Sequence, residues 1–91
     1  MSTKKVNYKK EDIGNLPNNK PVVYKILSKS DENVYTGSAK RGRVADRIQE
    51  HLGIIPGSKV VIEQFSNIEE AKEKEANIIT RLKPKYNKAG K

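Results

Sequence analysis

Apolar positions in this chain fall into three short β-patterned runs and two helical stripes. Residues 21–28, PVVYKILS, are rich in the β-branched and aromatic side chains that fit a pleated strand. The polar turn KSDEN follows, then VYTG at 34–37, a short second strand ended by Gly37, so that the two form a hairpin. A third strand, KVVIEQF at 59–65, is entered through the breaker PGS at 56–58. Between them RVADRIQEHL at 43–52 spaces Val44, Ile48 and Leu52 four apart, an amphipathic helix closed by Gly53. The last stripe, SNIEEAKEKEANIITRL at 66–82, opens on the capping residues Ser66 and Asn67 and is stopped by Pro84. The expected order is β-β-α-β-α. This is an α/β (α+β) domain with a small central three-stranded, mainly antiparallel sheet flanked by helices. Residues 1–19 are polar and lysine-rich and end in turn chemistry, so they read as a basic N-terminal arm with a helical turn near Glu11 to Leu16. Residues 20–91 form the single domain.

One charge breaks the last stripe. At about 100° per residue, Ala71, Ile78, Ile79 and Leu82 lie within roughly 80° of Ile68, and Glu75 lies about 20° from it. A carboxylate in that position is costly unless it is paired, hydrogen-bonded or bound to a metal. It either reaches out at the stripe's edge to a lysine, or it is a metal ligand or acid/base group in a cleft. On the other helix Arg43, Arg47 and His51 are four apart and form one ridge, with Arg47 and His51 bordering the buried face. Tyr24 and Tyr35 lie in paired strands and can share a sheet face. Taken singly, these are ordinary solvated cations, a flank histidine and packing tyrosines.

Composition narrows the partner class. Nineteen Lys and Arg against eleven Asp and Glu give a net charge of +8, which favours polyanions through counterion release. There is no cysteine and only one histidine, which excludes disulfides, thiolate metal sites and multi-histidine zinc sites. No apolar run approaches the roughly 18 residues of a membrane span, and MSTKKVNYKK has no signal-peptide core. An intracellular, cytoplasmic protein with no membrane partner is expected.

Together these residues resemble the GIY-YIG nuclease family. VVY at 22–24 and VYTG at 34–37 stand for its two name motifs, with Tyr35 eleven residues after Tyr24. GSAK at 37–40 leads into a helix with Arg47 and His51, as in the homing-endonuclease branch. EANIITRLKPKYN at 75–87 is similar to the family's closing block in the N-terminal incision domain of the bacterial excision-repair nuclease. Val22 and Val23 replace the Gly-Ile of the first motif and Thr36 the Ile of the second. Ser38 stands where repair-type members often carry lysine. The step of four to His51 selects Arg47 over Arg43.

The resemblance implies a GIY-YIG-like fold and an endonuclease that hydrolyses DNA phosphodiester bonds with one Mg²⁺ or Mn²⁺, nicking one strand per active site. It implies Glu75 as metal ligand, Arg47 as phosphate clamp, and Tyr35 as activator of the attacking water with Tyr24 supporting, though which tyrosine activates is left open by the sequence. His51 would relay the proton and Asn87 would orient the site. Lys40, Arg41, Arg43, Arg81, Lys83 and Lys85 are expected to contact the DNA backbone. The alternative is an inactive or partner-targeted nucleic-acid-binding module of the same fold, with a protein partner or further domain supplying specificity.

Overall fold

The structure is a computed structural model and describes residues 3–84 and residue 86. Its elements are β1 (Thr3–Asn7), α1 (Lys10–Gly14), β2 (Val22–Leu27), β3 (Asn33–Ala39), α2 (Val44–Gln49), β4 (Lys59–Gln64) and α3 (Ile68–Leu82). The sheet order is β1-β4-β2-β3 and every neighbouring pair is antiparallel. The α+β class and the antiparallel sheet flanked by helices are as expected. The sheet has four strands rather than three, because Thr3–Asn7 pairs with β4. That strand has only Val6 half-buried among exposed polar residues, so no alternation betrays it. Its exposed lysines suit an outer strand, where charge discourages pairing with another chain.

β2 runs down the middle of the sheet, and Val22, Val23, Tyr24 and Ile26 are all buried. That explains its near-continuous apolar run, since it is covered on both faces. One face packs Val22, Tyr24, Ile26, Val60 and Ile62 against Ile13 of α1 and Val44 and Ile48 of α2. The other packs Val23 against Ala71 and Ile78 of α3, with Phe65 and Ile68. Fully burying each such aliphatic side chain is worth roughly 1.5–3 kcal/mol.

Gly37 does not end its strand. β3 continues through it to Ala39, paired with β2 from Val22↔Ala39 to Leu27↔Asn33. α2 is shorter than the apolar spacing predicts. After Gln49 the chain tightens into i→i−3 turns, with the N–H groups of His51, Leu52 and Ile54 donating to the Ile48, Gln49 and His51 carbonyls, and Gly53 within them at φ 83°. Its start is capped from outside: Asn18 Oδ1 accepts the Val44 N–H at 2.8 Å. For α3, Asn67 is the cap, its Oδ1 accepting the Glu70 N–H at 2.9 Å. The helix ends on Lys83 in the left-handed region, followed by buried Pro84. Leu82, placed on the stripe by spacing, is 52% exposed and borders a hollow with Asn33 and Val34 of β3.

Candidate active site at the edge strand

Alternation along β2 and β3 puts Tyr24 opposite Gly37 and Tyr35 opposite Ile26, so both tyrosines project onto the α2 side of the sheet. Their ring centroids are 6.1 Å apart at 29°, and His51, on the turn after α2, lies 4.6 Å from Tyr35 and 5.8 Å from Tyr24. Tyr24 Oη is 2.9 Å from His51 Nε2. Gly37 creates the room for this cluster. A Cβ there would come within 2.6 Å of the Tyr24 hydroxyl and 2.7 Å of its Cζ, and Tyr24 is fully buried. Gly37→Ala is therefore expected to destabilise the fold by about 1–3 kcal/mol, the usual cost of overpacking. A shifted urea midpoint, with loss of the Tyr24–His51 contact by NMR, checks this.

Burial and the nearby Tyr35 hold the Tyr24 phenol well above the ordinary tyrosine range. Arg47 pulls the other way, as a cation should, but desolvation outweighs it. Tyr24 therefore keeps its proton at neutral pH. Burial, reinforced by the Arg47 charge, pushes His51 below the ordinary histidine value of 6.5. The ring is neutral at pH 7, and which atom donates in its 2.9 Å bond to Tyr24 Oη follows the imidazole tautomer.

Beside this cluster a groove of about 310 Å³ opens at the end of β3. Lys40, Arg43, Arg47 and Lys72 line it together with Ser38, Ala39 and Ile68. Arg43 also faces Asp46 at 3.9 Å on the exposed side of α2. Arg47 is the arginine whose charge reaches both Tyr24 and His51.

Glu75 comes from the opposite face. α3 covers the other side of the sheet, and Ser38, paired with Val23, points there. Its Oγ donates to Glu75 Oε1 at 2.7 Å, and Glu75 is half-buried. Because β3 is an edge strand, the two faces meet around it, and the Glu75 charge is felt at Tyr24. No group of three or more His, Cys, Asp or Glu that could hold a metal occurs among the described residues.

The remaining cations divide. Arg41 is exposed in the turn after β3, near Lys40. Arg81 and Lys83 are exposed at the C-terminal end of α3, and Lys83 lines a separate hollow with Asn33 and Val34 at the other end of β3. Lys85 and Asn87 lie outside the described residues. The sequence does not single out Lys72, and it marks Ser38 only as a departure from the repair-type motif. Lys72 falls about 40° from Ile68 on the same helical wheel, inside the arc that made Glu75 conspicuous. Ser38 gave no signal of its own, since its importance lies in what it meets across the strand edge.

No family profile and no curated protein matches the chain. Solved structures do. The GIY-YIG N-terminal endonuclease domain of UvrC from Thermotoga maritima, bound to its catalytic divalent cation magnesium, is 28% identical with a TM-score of 0.65, covering 79% of this chain and 88% of that one. A point mutant of that domain with an asparagine changed to alanine, also bound to its catalytic divalent cation, is 28% identical with a TM-score of 0.64, covering 78% and 86%. A tyrosine-to-phenylalanine mutant is 27% identical with a TM-score of 0.65, covering 79% and 88%. With the motif order and the edge-strand cluster, these matches place the chain in the GIY-YIG nuclease superfamily. The likeness supports nuclease function in general.

Proposed function

We propose that the protein is a divalent-metal-dependent endonuclease that hydrolyses DNA phosphodiester bonds and cuts one strand per active site. The observation that carries this reading is the meeting at β3 of buried Tyr24 with half-buried Tyr35 and His51, a groove lined by four cationic side chains, and half-buried Glu75. A binding module needs the groove alone; the Tyr24–His51–Tyr35 cluster beside it favours chemistry.

Glu75 is the residue to hold Mg²⁺ or Mn²⁺. A lone carboxylate fits a hard cation that keeps several waters, and its donor set does not fit a soft-metal cage. When bound, the cation supplies positive charge to steady the leaving oxygen. Arg47 clamps the phosphate with its planar fork as negative charge grows. Tyr24 holds its own proton and, hydrogen-bonded to His51 Nε2, fixes the orientation of the imidazole. Tyr35, half-buried with its ring against His51, positions and activates the attacking water. Neutral His51 is the relay for the proton released. Asn87 orients the site from the C-terminal segment. Lys40, Arg43 and Lys72 bind phosphates along the groove, Arg41, Arg81 and Lys83 contact the backbone further out, and Lys85 is a further backbone contact. These contacts carry no sequence code, so specificity comes from a protein partner or an additional domain.

A plasmid assay tests the reading. Supercoiled DNA is expected to become open circles with Mg²⁺ or Mn²⁺ and to stay supercoiled in chelator. The rate should fall in acid, through an apparent pKa below 6.5, because protonated His51 can no longer accept a proton. Salt-sensitive DNA binding without cutting in either metal would leave the binding module as the function.

A further inference from the structure

The Ser38–Glu75 hydrogen bond ties the carboxylate of α3 to a side-chain hydroxyl of the edge strand. A glutamate on a helix otherwise has several rotamers, and ordering its side chain costs entropy. A 2.7 Å O–H···O⁻ bond is short and charge-assisted, the strong kind. An ionised carboxylate has about four lone-pair sites, so a bond to Oε1 leaves Oε2 able to take a cation. Ser38 also lines the groove with Lys40, Arg43 and Arg47, so the anchor point lies on the side where phosphate would enter. Alternation in β3 sends Tyr35 and Gly37 to one face and Ser38 to the other, so one strand sets both halves of the site.

We propose that Ser38 is a positioning residue whose hydroxyl holds the Glu75 carboxylate in the orientation that takes a divalent cation. The inference rests on the reading of Glu75 as the cation ligand. Hydrogen-bond partners of metal ligands commonly contribute about 10–100-fold to metal affinity.

The probe is Mn²⁺ alone, titrated into the full chain and followed by the loss of its free-ion electron paramagnetic resonance signal, with no DNA and no turnover. Ser38→Ala is expected to raise the Mn²⁺ Kd about tenfold or more. Ser38→Thr and Ser38→Val provide the stricter comparison. Both are β-branched side chains suited to a strand and differ only in hydroxyl against methyl. Thr should bind Mn²⁺ close to the unsubstituted chain, and Val should match Ala. Thermal melts run alongside show whether folding differs within that pair. Equal Kd values for Thr and Val, with Glu75→Ala still abolishing binding, would overturn the role of Ser38 and leave the cation reading standing. Mn²⁺ binding that is absent from the unsubstituted chain, or unchanged in Glu75→Ala, overturns the cation reading and the inference with it.

Discussion

Glu75→Ala is expected to remove cleavage, by about 10³-fold or more, while the protein stays folded. The size follows from several kcal/mol of charge stabilisation lost with the cation, at about 1.36 kcal/mol per tenfold in rate. No described cluster of carboxylates or histidines stands ready to replace it. Stability should move little, for three reasons. The side chain is only half-buried, so it is not a core packing element. Alanine is the best helix former, and Glu75 lies within α3. Ser38, which loses its acceptor, is itself half-exposed and can turn to water. Plasmid nicking read beside a thermal melt checks both halves. Unimpaired nicking in a folded Glu75→Ala protein would sink the assignment of Glu75 as cation ligand.

Much of this arrangement was legible in the pattern of side chains. Strand alternation put Tyr24 and Tyr35 within reach of one face, and the four-residue step put Arg47 and His51 on one ridge of the helix. The helical wheel singled out Glu75, and in the structure it is half-buried and hydrogen-bonded to β3. What stayed hidden depends on long-range pairing. β1 has a single half-buried apolar residue, and its place comes from ladder bonds to β4, which leave no periodic trace. Gly37 looks like a strand terminator when read locally. Its reason is the Tyr24 ring crossing it from the neighbouring strand, known only once the register is known. The cap of α2 comes from Asn18, twenty-six residues away. The two-sided character of the site was equally invisible. Tyrosines on one face and Glu75 on the other become one site only because β3 is an edge, a property of strand order.

Arg47→Ala is expected to lower kcat about 10²–10³-fold, the usual loss when one preorganised donor to a developing anion is removed. Arg43→Ala should change it only a few-fold. Both arginines line the groove, so position alone does not separate them. Their electrostatics do. Arg43 faces Asp46 at 3.9 Å on an exposed helix surface, where such a pair contributes at most about 1 kcal/mol. Arg47 acts on both Tyr24 and His51, which places its charge beside the groups proposed to carry the chemistry. That coupling adds a second readout. Arg47 helps hold His51 below the ordinary histidine value, so its removal lets the imidazole pKa rise. The acid limb of the rate profile should then move to higher pH in Arg47→Ala and stay put in Arg43→Ala. Arg47→Lys keeps a charge but not the planar two-point fork, so it should restore the pH limb more fully than the rate. Normal cleavage in Arg47→Ala beside loss in Arg43→Ala would transfer the clamp to Arg43, one turn nearer the mouth of α2.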